Sequence, residues 1–354
     1  MKITRLYFAL FSIAVITATG CSGGSSTPAG DQEITPNLNF YNWSYYIADQ
    51  TIPEFQQEFD VRVRYDNYSS NNELLAKLQA GASGYDLIVP SDYMVQIMTQ
   101  LNLLQPLRPE NIPNLVNIDP RFRNLPFDPE NTYSIPYQWG TTGLAINTRY
   151  VTGETDTWEI LWDARYRGRI SVLDDMRSGL VPALKRLGYS VNTRDENELR
   201  QARDLMIEQK PLVRTYSSET YMDLLKSGDI WIAQGWSGDI YQVSKENPDI
   251  VFVIPREGSY VWVDNLVIPN GARNRTTAEA FINFVLRADQ SAAITNYTGY
   301  SSPNRAAFPL IRRELLEDPG MYPTDEVMQR LEFMVDVGTA TSLYNRMWSE
   351  IKAR

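Results

Sequence analysis

Past residue 36 the chain switches repeatedly between a two-residue and a 3.6-residue hydrophobic period, and this switching limits the possible folds more than any other feature. In VRVRYDNY, Val61, Val63 and Tyr65 alternate with Arg62, Arg64 and Asp66, the pattern of a half-buried strand. SNNELLAKLQAG then places Leu74, Leu75 and Leu78 on one helical face and stops at Gly81. LNFYNW and YDLIVPS read as strands on either side. Between LNFYNW and VRVRYDNY, TIPEFQQEFD spaces Ile52, Phe55 and Phe59 helically, with Pro53 in its first turn. This βαβαβ rhythm predicts an α/β fold with a mostly parallel sheet covered by helices. Beyond a proline-rich loop region (105–136), RISVLDD, LVRTYSS, IWIAQGWS and IVFVIP read as strands of a second run. AEAFINFVLRA (278–288) and SLYNRMWSEIKAR read as its helices. The 318 residues from 37 to 354 are too many for one core and suit two lobes.

The N-terminus has a different character. Lys2 and Arg5 precede an apolar run over 6–16, then come small residues and Cys21, the only cysteine. The run is too short to span a bilayer and reads as a secretory signal over 1–20. Ala-Thr-Gly-Cys resembles a bacterial lipobox, with Ala18 where Leu is commoner. A lone thiol is unusual in an exported protein, so Cys21 is expected to carry lipid. Residues 21–36 then form a lipid-anchored flexible tether. The expected location is periplasmic, with the protein held to a membrane through Cys21.

Composition removes several chemistries. The chain has no histidine, which excludes a Ser-His-Asp triad, a His-ligated zinc site and a histidine base. The cysteine-free body excludes thiol catalysis. Without Lys2 and Arg5, 31 basic residues face 43 acidic ones, a net charge near −12. That charge argues against nucleic acid and fits a cationic ligand. No catalytic residue, metal site or cofactor is expected.

Aromatic rings and carboxylates recur together. FYNWSYYI (40–47) holds five rings, of which Phe40 and Tyr41 are expected in the strand and Trp43 and Tyr46 beyond its end. QGWSGDIY carries Trp236 and Asp239, YVWVDNLVIP carries Trp262 and Asp264, and SVLDDMRSG carries Asp174 and Asp175. Each acid lies at or past the end of a strand-like run, where open α/β sheets bind ligands. Trp262 and Asp264 are two apart and share a strand face. That carboxylate needs a partner if buried, either an arginine or a cationic ligand flanked by rings.

With NFYNWSYYI, LLAKLQAGASGYDLIVPSDYMV, YSIPYQWGTTGLAIN, LLKSGDIWIAQGWSGDIYQ and VDNLVIPNGARN in order, the chain resembles the spermidine/putrescine-binding proteins of bacterial polyamine ABC importers. The resemblance implies a two-lobed type II (cluster D) periplasmic-binding-protein fold, a polyamine between the lobes and a membrane permease as partner to a monomer. It further implies ligand contacts at Trp43, Ser44, Tyr46, Ser91, Tyr93, Asp175, Ser217 (or Ser218), Trp236, Asp239, Trp262, Asp264 and Tyr300. Tyr45, Ser178 and Met334 depart from the family pattern and leave the preferred polyamine open. The implied division is 37–140 and 263–304 in one lobe, 141–262 and 305–354 in the other. The alternatives are a receptor of the same fold for another cationic or zwitterionic solute, and an exported carbohydrate-active enzyme using two acids.

Overall fold

The computed structural model describes residues 33–81 and 84–353. The signal segment, Cys21 and most of the tether lie outside them. The tether's end is already docked: the Thr35 amide donates to Thr277 Oγ1 at 2.8 Å, and its hydroxyl bonds Asn274.

The elements, in chain order, are β1 (Asn37–Trp43), α1 (Thr51–Phe59), β2 (Arg62–Tyr68), α2 (Asn71–Gln79), β3 (Leu87–Ile88), α3 (Asp92–Gln100) and β4 (Ser134–Asn147). There follow β5 (Ile170–Val172), α4 (Val181–Arg186), α5 (Glu196–Gln209), β6 (Val213–Tyr216), α6 (Tyr221–Ser227), β7 (Ile232–Trp236), α7 (Ser237–Glu246) and β8 (Ile250–Val253). The chain ends with β9 (Ser259–Val267), α8 (Arg275–Val285), α9 (Ala288–Thr298), α10 (Arg313–Leu316), α11 (Asp325–Met328), β10 (Leu331–Phe333) and α12 (Thr341–Ala353). The helix expected over 278–288 is α8 with the start of α9, because the backbone turns extended at Arg287.

The strands run in the order β2-β1-β3-β9-β4-β7-β5-β6, with β10 on β9 and β8 on β4. The outer pairs are parallel, as the βαβ rhythm requires, whereas β4 pairs antiparallel with β9, β7 and β8. The sheet is therefore mixed rather than mostly parallel. Its centre is β4, whose first half (134–141) lies along β9 and whose second half (142–146) lies along β7. All fourteen residues of β4 and all nine of β9 are buried. The expected loop region thus ends in the start of the central strand. Pro136 is tolerated because the ladder bulges between Pro136 and Gln138.

The parallel strands on either side of β4 and β9 form two lobes. Helices α1 and α8 cover the β1 side, where Phe55 and Phe281 meet edge-on. Helices α5 and α12 pack together on the β5 side. Residues 305–315 touch elements of both expected lobes. Ala307, Ile311 and Leu315 pack with Ala292 of α9, and Phe252 and Tyr241 also touch this cluster.

The excursion over 105–128 is pinned to α8 by one acid. Glu279 is fully buried and accepts from Arg108 at 2.6 and 2.9 Å, Asn111 at 2.6 Å and Arg275 at 3.1 Å. Burial pushes its carboxyl up, but the Arg108 and Asn111 bonds outweigh that and hold it below the usual range. Glu279→Gln should cost about 3–5 kcal/mol in urea unfolding near neutral pH. A depressed carboxyl contributes stability that is lost as pH falls through its folded value, so the gap should narrow below about pH 4. An unchanged midpoint at pH 7 would refute the role.

Candidate functional site

Where β1, β4, β7 and β9 end or cross, the two lobes enclose a cavity of about 340 Å³. Among the described residues, six carboxyl residues line it (Asp92, Asp175, Glu219, Asp223, Asp239 and Asp264), together with many tyrosine and tryptophan rings, and no lysine or arginine. None of the six belongs to an ion pair among the described residues. The acids are spread along the walls: no three are gathered closely enough to hold a metal ion among those residues.

Asp264 lies opposite Gln138 in the β4–β9 ladder and bridges to Ser91. Ser91 Oγ donates to Asp264 Oδ1 at 2.6 Å and receives a bond from Asn71 at 3.0 Å. Burial raises the Asp264 carboxyl to about 7, against the pull of the Ser91 and Tyr46 hydroxyls. The Tyr46 hydroxyl faces this acid but falls short of hydrogen-bond geometry, and Trp262 Nε1 also has no acceptor. Asp92, at the start of α3, accepts from Tyr93 N at 2.8 Å and from Val263 N of β9 at 3.3 Å. Burial first, then the nearby Asp264 charge, pushes it well above the carboxylate range.

Asp239 occupies the first turn of α7, where the helix N-terminus favours a negative charge. Tyr300 donates to it at 2.6 Å and Tyr221 at 2.8 Å, yet burial still raises its carboxyl. The Tyr300 ring stands edge-on to Tyr46 at 5.1 Å and to Trp262 at 5.2 Å, tying Asp239 and Asp264 into one aromatic cage. Two glycines make room for it. A Cβ on Gly238 would lie 2.5 Å from the Tyr300 ring, and one on Gly140 would lie 2.6 Å from Trp262. Asp175 uses only Oδ1, accepting from Ser178 N at 2.7 Å and Arg177 N at 3.0 Å.

Eleven of the twelve expected residues line this cavity: Trp43, Ser44, Tyr46, Ser91, Tyr93, Asp175, Trp236, Asp239, Trp262, Asp264 and Tyr300. Ser217 does not. Its hydroxyl accepts from Thr220 N at 2.9 Å and Glu219 N at 3.2 Å to hold the turn before α6, and Ser218 lines the wall instead. In FYNWSYYI, Phe40 and Tyr41 are core residues, whereas Trp43, the last residue of β1 rather than beyond it, anchors its Nε1 on Val89 O at 2.8 Å with its ring at the cavity.

The sequence reading missed Asp92, Tyr68, Tyr260, Glu219 and Asp223. An acid after Ser91 looks like an ordinary helix start, and the others carry no local pattern. Tyr45, ambiguous in the sequence, stands 83% exposed at the rim with φ +56. That conformation costs a bulky residue about 1–2 kcal/mol. It is imposed by the next residue, whose carbonyl accepts from Tyr137 at 2.9 Å and Gln138 at 3.1 Å.

A family model described as bacterial extracellular solute-binding protein matches residues 50–321. The spermidine/putrescine-binding periplasmic protein of Escherichia coli (strain K12) is 35% identical over 341 residues, covering 96% of this chain and 97% of its own. Two solved structures are similar throughout. The spermidine/putrescine ABC transporter substrate-binding protein PotD of Streptococcus pneumoniae has 33% identity and a TM-score of 0.78, covering 90% of this chain and 99% of its own. The TpPotD lipoprotein of Treponema pallidum has 36% identity and a TM-score of 0.81, covering 90% and 100%.

A raised carboxyl implies an opposition between stability and charge at Asp264. The folded state holds the proton more tightly than the unfolded chain, so stability falls as pH rises from about 4 to 7. Asp264→Asn should therefore stabilise the ligand-free protein at pH 8, by at most about 4 kcal/mol for a rise from 3.8 to about 7. At pH 4 it should change little. Urea unfolding at both pH values decides, and a variant less stable than wild type at pH 8 would mean that the carboxylate holds the fold together.

Proposed function

This chain belongs to the bacterial extracellular solute-binding proteins, and on that premise we propose that it captures a polyamine, putrescine or spermidine, and presents it to the permease of an ABC importer. The observation that carries this reading is the cavity of six unpaired carboxyl residues and aromatic walls without a base. A polyamine is an apolar chain with an ammonium at each end, so rings cover its methylenes while carboxylates take its charges. A zwitterion such as an amino acid or betaine has a carboxylate for which these walls offer no base.

Within this reading Asp264 is the central amine ligand and Asp239 the second, joined through Tyr300. Asp175 and the rim acids Glu219 and Asp223 take the ammoniums of longer chains. Trp43, Tyr46, Trp236 and Trp262 flank the methylenes, and Ser44, Ser91 and Tyr93 complete the walls. One lobe comprises 37–140 with 263–304, and the other 141–262 with 305–354. The partner change along β4 after Thr141 supports the first boundary. The closest-fitting test is a thermal-shift screen of putrescine, spermidine, spermine, betaine and simple sugars, followed by calorimetric titration. Shifts confined to polyamines are expected, whereas a shift only with betaine or a sugar would overturn the reading.

Ionic capture by Asp264 makes binding pH-dependent. Below about pH 7 the ammonium must displace a proton, so affinity should fall up to about tenfold per pH unit as pH drops. Titrations at pH 5.5 and 8 in buffers of different ionisation enthalpy should show weaker binding and proton release at the lower pH. Equal affinity with no proton released would remove Asp264 from the ion pair. Asp264→Asn should cost about 2–5 kcal/mol of binding at pH 8.

We place the receptor on the outer side of a membrane, anchored by lipid on Cys21. The signal-like sequence before that residue supports this, and a relative of similar fold is named a lipoprotein. Stable anchoring takes two lipid-linked signals. Cys21→Ser should move the protein from membrane to soluble fractions, and a wild type already soluble after lysis would refute the anchor.

A further inference from the structure

Behind Tyr93 lies a second cavity of about 280 Å³ that the polyamine reading does not use. Leu75 of α2 and Met94 and Ile97 of α3 line it from one lobe. Met176, Arg177 and Asp336 line it from the other. Tyr93 belongs to the walls of both cavities and separates them.

Arg177 is the unusual member. It is only 3% exposed and forms no ion pair among the described residues. Its guanidinium donates to Val335 O at 3.0 Å and Asn192 Oδ1 at 2.9 Å, with a longer bond to Val191 O. The group lies over the rings of Tyr344 at 4.8 Å and Tyr93 at 5.6 Å. Its Nε–H has no acceptor. Asp92 feels its charge and Asp175 accepts from its main-chain amide, but neither carboxylate pairs with the guanidinium, and a buried donor without an acceptor is costly. By contrast Arg108, which is less buried, binds Glu279 through several nitrogens.

We propose that this cavity binds a small aliphatic monocarboxylate, its anionic head received by Arg177 and its chain lying against Leu75, Met94 and Ile97. The acid of Asp336 on the same wall disfavours a second negative charge on the ligand. Because the walls come from both lobes and Tyr93 is shared, occupancy is linked to the polyamine site, and linkage requires the two ligands to change each other's affinity by the same factor. This coupling, but not the carboxylate site itself, rests on the polyamine reading.

The test uses the full folded protein with sodium hexanoate as probe and hexanamide as its neutral isostere. Hexanoate should give a saturable rise in melting temperature and a calorimetric isotherm, and hexanamide neither. Leu75→Trp, which fills the cavity without touching Arg177, should abolish the hexanoate response and leave spermidine affinity within about twofold. In wild type, saturating hexanoate should change spermidine affinity at least threefold, with the reciprocal change for hexanoate. A wild type without a hexanoate response, a response equal for hexanamide, or one that survives in Leu75→Trp overturns the site. A response lost in Leu75→Trp, with wild-type spermidine affinity unchanged by saturating hexanoate, keeps the site and overturns the coupling. Failure of every polyamine to bind, with the hexanoate response intact, refutes the polyamine reading alone.

Discussion

The antiparallel pairing of β4 with β9 is the constraint on which the rest of the molecule depends. A strand of fourteen buried residues serves the sheets of both lobes in turn. Wherever two such strands cross between lobes, the side chains along them face a boundary rather than a core. That boundary holds Trp262 beside Gly140 and Asp264 beside Gln138. The bulge at Tyr137 sits in the same stretch, and the Tyr137 hydroxyl reaches back to fix the turn carrying Tyr45 and Tyr46. The central ladder therefore positions the acid, the stacking ring and the mouth of the cleft together.

Electrostatics set the second condition. The cavity concentrates carboxyl groups in a space that raises Asp92, Asp239 and Asp264 toward neutrality. An enzyme could use such groups as proton donors, but here they are fixed by hydroxyls and backbone amides and framed by rings, an arrangement suited to holding a cation. On the polyamine reading, the cost of burying these carboxyls is exchanged for affinity, a common arrangement at binding sites.

Much of this was legible before any coordinates. The alternation of periods identified the helices and outer strands because each has one solvated face. Trp236 and Asp239 stand out at and past the end of β7, whereas Trp262 and Asp264, expected at a strand end, lie in mid-strand on β9 and stand out because a ring and an acid on one face make a poor core face. The centre was harder to read. A strand buried on both faces has no alternation, and Pro136, Gly140 and Gly143 look like breakers, so the start of β4 reads as loop. Asp92 resembled any helix-starting acid, and only the fold brings it beside Asp264. Ser217 lies off the cavity for a local reason, since a serine before a helix serves the backbone as readily as a ligand.

The dispersal of the acids along the cavity walls has a consequence for selectivity against inorganic ions. A hydrated magnesium ion and a doubly protonated diamine carry the same charge, but the ion places it at a point and wants several oxygens around that point. Among the described residues these walls gather no such set. They offer separate oxygens with aromatic surface between them, so on the polyamine reading the cleft acts as a ruler. It rewards two charges held apart by an oily spacer and returns little for the same charge undivided.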